Sequence, residues 1–279
     1  MYTRQQLIIE QEPHCTLRVS RWDLSRQGKG RISATPPDGT GETSDKDTGA
    51  RLALSLIEGV YHDRDRGHAG LWVKSVHRLM LARKRIPRPP QDMLDKARHY
   101  PALLALRAAG IASLVADRDD VLLRLLTEPT WRDPVSSKLT PAVLALGEYT
   151  VVSEGAVNAL PRWSGHRWLY APSHLLRADL RDVLRPILPD DDDYQWASDR
   201  YEYHVALTQY HLQSRPAGYA QCASGEFIGR QQLAEGDFRT AAGQAGDDWP
   251  WWQVVGGPAG MEAILTGLSQ ELARIARTS

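Results

Sequence analysis

The sequence predicts a mainly α-helical protein, a helical bundle or a set of repeat-like helical hairpins, with a small N-terminal β element. Three observations predict it. Residues 199–212 read D-R-Y-E-Y-H-V-A-L-T-Q-Y-H-L, with Tyr203, Ala206, Leu207 and Tyr210 recurring at helical spacing. Residues 101–116 are apolar almost all round, the pattern of a centrally buried helix. Residues 258–276 place Met261, Ile264, Leu265, Leu268, Leu272 and Ile275 on one helical face. The chain has 279 residues, enough for one large domain or two smaller ones.

Residues 7–9 (L-I-I) and 15–22 (C-T-L-R-V-S-R-W) are strand candidates, the second alternating apolar and polar. Residues 27–49 are rich in Gly, Pro, Ser, Thr and Asp, which predicts a loop or linker. The expected division is therefore a β element with a flexible linker over 1–45 and a helical domain over 46–279. Gly28-Lys29-Gly30 lacks the spacing of a phosphate-binding loop.

Asp45 or Asp47 can cap a helix to about Tyr61, with Leu52, Leu56 and Val60 on one face. A second helix over 71–85 would bury Val73, Val76, Leu79 and Met80, and Pro87, Pro89 and Pro90 would stop it. Pro101 suits the first position of the apolar helix. Asp119 or Asp120 opens another helix over 121–126, completing a helical hairpin. Residues 128–141 hold three prolines and read as a loop. A turn of helix over 141–146 and a short strand over 149–152 follow. Pro172 and Ser173 start a helix to about Leu188, with Leu176, Leu180, Val183 and Leu184 inward. Asp190, Asp191, Asp192 and Asp193 precede the aromatic-striped helix, and residues 216–218 (P-A-G) end it. A Gly-rich stretch over 218–229 and the D-D-W-P-W-W of 247–252 lead to the terminal helix.

Lys plus Arg equals Asp plus Glu, 34 each, so no global polyelectrolyte signal points to nucleic acid or a membrane surface. No apolar run approaches about 18 residues, the length of a membrane span. Cys15 and Cys222 give no disulfide framework, which suits a reducing cytoplasm. Residues 1–11 lack the basic and apolar pattern of a secretory signal.

Several constellations could carry chemistry. His62, Asp63 and Asp65, with His68, could form a metal or acid–base cluster, against a solvated turn between two helices. Asp190 to Asp193 could hold Mg²⁺, but they lack a second acidic motif; a helix-start cluster is the plainer reading. His204 and His211 lie seven apart, where a zinc signature would want four, and packing is the plainer role. Cofactors and metals are therefore expected to be none. Arg83, Lys84, Arg85 and Arg88 form the densest basic stretch, able to meet phosphates weakly. Trp251 and Trp252 beside Trp249 are candidates for partner contact, since three adjacent indoles crowd one small core.

Four segments carry a family resemblance. They are residues 100–123 (Y-P-A-L-L-A-L-R-A-A-G-I-A-S-L-V-A-D-R-D-D-V-L-L), 168–176 (W-L-Y-A-P-S-H-L-L), 199–207 (D-R-Y-E-Y-H-V-A-L) and 225–230 (G-E-F-I-G-R). Over residues 95–275 the chain resembles the helical C-terminal regions of large bacterial antiphage defence proteins. Those proteins carry SIR2-like, TIR-like or NTPase effector regions. The resemblance implies a sensing or scaffolding role without catalysis. It also implies that the chain acts with a partner or is one fragment of such a system; the expected protein partner is an effector subunit or a second copy. This chain has no effector or Walker motif, so no activity carries over. A small helical enzyme, using His62, Asp63 and Asp65 or Asp190 to Asp193 with His204, and a nucleic-acid-binding module using Arg83, Lys84, Arg85 and Arg88 are the alternative expectations.

Overall fold

The computed structural model describes residues 45–63, 67–81, 98–132, 137–163, 165–213 and 224–278. The first four helices are α1 (Asp45–His62), α2 (Ala69–Leu81), α3 (Tyr100–Val115) and α4 (Asp119–Thr127). A hairpin of β1 (Thr130–Arg132) and β2 (Leu139–Pro141) follows. Three short helices come next: α5 (Ala142–Ala145), α6 (Glu148–Val151) and α7 (Glu154–Asn158). A 3₁₀ turn, Pro161–Trp163, leads to α8 (Ala171–Leu184) and α9 (Asp191–Gln213). A second 3₁₀ segment, Glu226–Arg230, runs into α10 (Gln231–Gln244), then α11 (Trp252–Val255) and α12 (Gly257–Thr278). The described protein is thus mainly helical, as the sequence predicts.

Two helices organise the rest. α3 packs against α1, α2, α4, α8 and α9, and α9 packs in turn against α8, α10, α11 and α12. The reason lies in their residues. α3 is apolar on every face and is buried from Ala102 to Leu114 apart from Leu104. Pro at its first turn costs nothing, because that N–H would have no helical partner. Where α3 meets α9, Gly110 lies under the Tyr201 ring; a Cβ there would sit 2.3 Å from Tyr201 Cε2. Only glycine permits that approach. One hydrophobic core runs from Leu56 to Leu272, with a small satellite of Val157, Ala171 and Leu175 beneath Trp163 and Trp168.

The structure departs from expectation in four places. The aromatic-striped helix starts eight residues early, at Asp191, and is buried nearly all round between Ala197 and Gln209. Residues 128–141 contain the antiparallel hairpin, with Trp131 opposite Thr140. Strands of three residues are too short to show alternation. Residues 148–151 form helix α6, not a strand, because this turn sets Glu148 and Val151 inward. Helix α10 had no sequence signal strong enough to place it. Its buried stripe is only Ala234, Phe238 and Ala242, and Gly236 and Gly243 interrupt it. The N-terminal strand candidates and the linker up to residue 44 lie outside the described residues.

Candidate functional site

A buried network of ion pairs joins the two central helices to three other elements. Arg107 of α3 is fully buried. Its guanidinium donates to Glu148, the first residue of α6, and to Glu202 of α9. Glu202 Oε1 also accepts from Ser173 Oγ at 2.6 Å and Arg177 Nε at 3.0 Å, both on α8. Its Oε2 accepts from Arg177 Nη2 at 2.7 Å and from the backbone N–H of Phe227 at 3.2 Å. Arg177 Nη2 donates to Asp199 Oδ1 at 2.6 Å, and Arg230 Nε donates to Asp199 Oδ2 at 2.6 Å. Glu226 lies 3.6 Å from Arg177 and meets His174 Nδ1 at 2.8 Å. Gly225 brings the 3₁₀ segment against Glu202; a Cβ there would fall 2.5 Å from Oε2.

The network holds three guanidinium groups, Arg107, Arg177 and Arg230, against four carboxylates, Glu148, Asp199, Glu202 and Glu226. The carboxylates are unequally served. Burial raises the Glu202 carboxyl, but Arg177, Arg107 and the Ser173 hydroxyl outweigh it and hold the group at about 2. Glu148 shares one arm of Arg107, and its Oε2 has no hydrogen-bond partner. Burial therefore wins there, with help from the Glu202 charge, and lifts Glu148 to about 7. The cavity beside Glu148, lined by Leu103, Leu106, Val143 and Tyr201, has a volume of about 10 Å³. That is room for one water at most. The arrangement suits a clamp that sets helix positions better than a site that admits a substrate.

The network surfaces beside α9 and α10. There a depression of about 260 Å³ is lined by Asp192, Gln195, Trp196, Arg200, Arg230 and Leu233, over Asp199 and Ala234. Trp196 is 45% exposed and Leu233 67%. The Trp196 ring is fixed: its Nε1 donates to Asp237 at 2.7 Å, and the Arg200 guanidinium lies 4.5 Å from its centroid.

Of the residues singled out from sequence, Asp192 borders this depression, and the others that are described fall elsewhere. Asp63 is buried and bonds the His68 ring at 2.9 Å, while Arg118 donates to its backbone oxygen at 2.8 Å. This ties the turn after α1 to the start of α4. His62 sits edge-on to Tyr61, and Asp65 lies outside the described residues. His204 is buried between Trp251 and Phe238, and its Nδ1–H donates to the Arg200 carbonyl at 2.7 Å. Burial depresses it to about 4, so the ring is neutral. Asp190 Oδ1 accepts the backbone N–H of Asp192 at 2.8 Å, and Asp191 pairs with Arg181. Asp192 and Asp193 complete an acidic first turn, favourable to the helix dipole. Among the described residues, no group of three or more His, Cys, Asp or Glu is placed to hold a metal ion. Arg83, Lys84, Arg85 and Arg88 lie outside the described residues. Trp251 is fully buried and presents no surface to a partner, which corrects the expectation for it. Trp252 is half-buried, with Nε1 donating to the Gly246 carbonyl at 2.9 Å.

Sequence reasoning missed the network. One signal could have found it: Arg107 is the lone charge between Ala102 and Val115, on a helix with no polar face. Such an arginine must be buried and must recruit carboxylates. The four segments quoted above meet here. They contribute Arg107, then Ser173 and His174, then Asp199 and Glu202, then Gly225, Glu226 and Arg230. No protein-family model matches the chain, and neither a curated protein nor a solved structure matches it. No helix among the described residues is long and apolar enough to cross a membrane.

Proposed function

We propose that the chain is a non-catalytic interaction module, regulatory or scaffolding in kind, that works through a protein partner. One observation carries the reading: the exposed, rigidly held Trp196 and the exposed Leu233 flank one depression whose base is anchored by the ionic clamp. Trp and Arg dominate the energetics of protein interfaces because they bury large amphipathic surfaces. A Trp already fixed by its own N–H loses little entropy on binding. The resemblance to helical regions of bacterial defence proteins supports the same role, since its four segments supply Arg107, Asp199, Glu202, Glu226 and Arg230 to the clamp. A cytoplasmic setting beside an effector subunit belongs to this proposal.

The test is affinity purification from the native host with mass spectrometry, run in parallel with a Trp196→Ala, Leu233→Ala double variant. The expected result is a partner present with the parent chain and lost with the variant, whose thermal melting is unchanged. Identical partner recovery from both would sink the assignment of this face.

A further inference from the structure

We infer that this face binds a second copy of the same chain, with α9 packed antiparallel on α9 about a two-fold axis at Trp196. The inference rests on the proposed interaction role and names its partner. Of the five α9 residues that line the depression, Asp192, Trp196 and Arg200 stand at i, i+4 and i+8. They form one ridge along the helix, and such ridges interdigitate when helices pack. Asp192 and Arg200 stand on opposite sides of Trp196, about 12 Å apart along the axis at about 1.5 Å rise per residue. Their charges are opposite. A two-fold axis at Trp196 therefore brings Asp192 of each copy toward Arg200 of the other, and the two Trp196 rings together. An isologous interface requires this self-complementarity.

Neither of those two charges has an ion-pair partner among the described residues, and the Arg200 guanidinium lies over its own Trp196 ring. Asp199 is neutralised by Arg177 and Arg230, and Asp191 by Arg181. Asp237 accepts the Trp196 N–H. No carboxylate among the described residues pairs with the Arg200 guanidinium. Gln195 is the neutral neighbour, and Leu233 widens the apolar centre from α10. A neutral guest would pair with neither end and a singly charged one with one end only; a second copy satisfies both.

The experiment is sedimentation-velocity ultracentrifugation of the full chain from about 1 to 100 μM, with circular dichroism melting of every variant. The parent chain is expected to dimerise reversibly in this range. Asp192→Arg and Arg200→Asp are each expected to weaken the dimer tenfold or more, because each sets like charges together. The double variant is expected to restore it, with the charges exchanged across the axis. Trp196→Ala is expected to leave a monomer. If Arg200→Asp disturbs folding, Asp192→Arg on the exposed first turn and Trp196→Ala decide between them. A parent monomer at 100 μM overturns the inference, as does a double variant no better than either single one. A monomer that still captures another protein in a Trp196-dependent way overturns the second copy while leaving the interaction role standing.

Discussion

Arg107 on α3 and Glu202 on α9 are hydrogen-bonded across 95 positions of chain, both out of reach of solvent. This pair locks the two central helices in register. It also sets the consequences of removing either partner. Truncating one member of a buried ion pair strands the other charge in an apolar interior. Arg107→Met should destabilise the fold by about 3–5 kcal/mol. Adding Glu202→Gln to that variant should recover part of the loss, because the carboxylate that Arg107 held ionised is then neutral. Urea denaturation of the three proteins measures this; equal stability of Arg107→Met and the parent would show the clamp to be dispensable.

Glu148 gives the protein a pH dependence of definite sign. Its carboxyl is raised to about 7 in the fold, from the ordinary 4.5. Between those values the folded state binds more protons than the unfolded chain, so this group's contribution falls as pH rises. The contribution is fully present below about 4.5 and lost above about 7. The stability difference between parent and Glu148→Gln should thus move in Gln's favour from pH 5 to pH 7.5, by at most about 3 kcal/mol. Chemical denaturation across that range checks it, and a flat difference would place the proton elsewhere. Glu202, held at about 2, acts oppositely, and its contribution is lost only as pH falls from 4.5 toward 2.

Gly225 and Gly229 lie four residues apart, and they should respond differently to alanine. A Cβ on Gly225 meets Glu202 Oε2 at 2.5 Å and Ser173 Oγ at 3.2 Å, whereas one on Gly229 meets nothing within 4 Å. Gly225→Ala must push the 3₁₀ segment off the clamp and should cost about 1–3 kcal/mol. Gly229→Ala should be near neutral. Thermal melts of the two variants decide the matter, and matched shifts would contradict the packing.

The three neighbouring tryptophans should also separate. Trp251 fills the core beside His204 and Phe238, so Trp251→Ala should cost about 3–5 kcal/mol. Trp252 is half-buried, and its N–H bond to Gly246 is exposed, so Trp252→Ala should cost clearly less. Trp249 is half-buried, with Nε1 bonded to Asp119 at 2.8 Å, and should fall between them. Melting temperatures of the single variants test the ranking.

The sequence by itself determined the helical character and most helix positions. Periodicity marks α1, α2, α8 and α12, and an unbroken apolar run marks α3 as central, because burial of apolar side chains follows the helical repeat. It also determined the helix-start role of Asp190 to Asp193, since that capping is local. The tertiary structure alone decided the clamp and the depression above it. Asp199 and Glu202 read as the polar side of an amphipathic helix until α3, α8 and the 225–230 segment close over them. Whether a carboxylate is solvated or buried depends on guanidinium groups 22 to 95 positions away, and no local pattern encodes that distance. Trp251 and Trp196 make the same point. Both follow a run of Asp in the sequence, yet one is enclosed by α9 and α10 while the other faces outward, and only the packing of those helices distinguishes them.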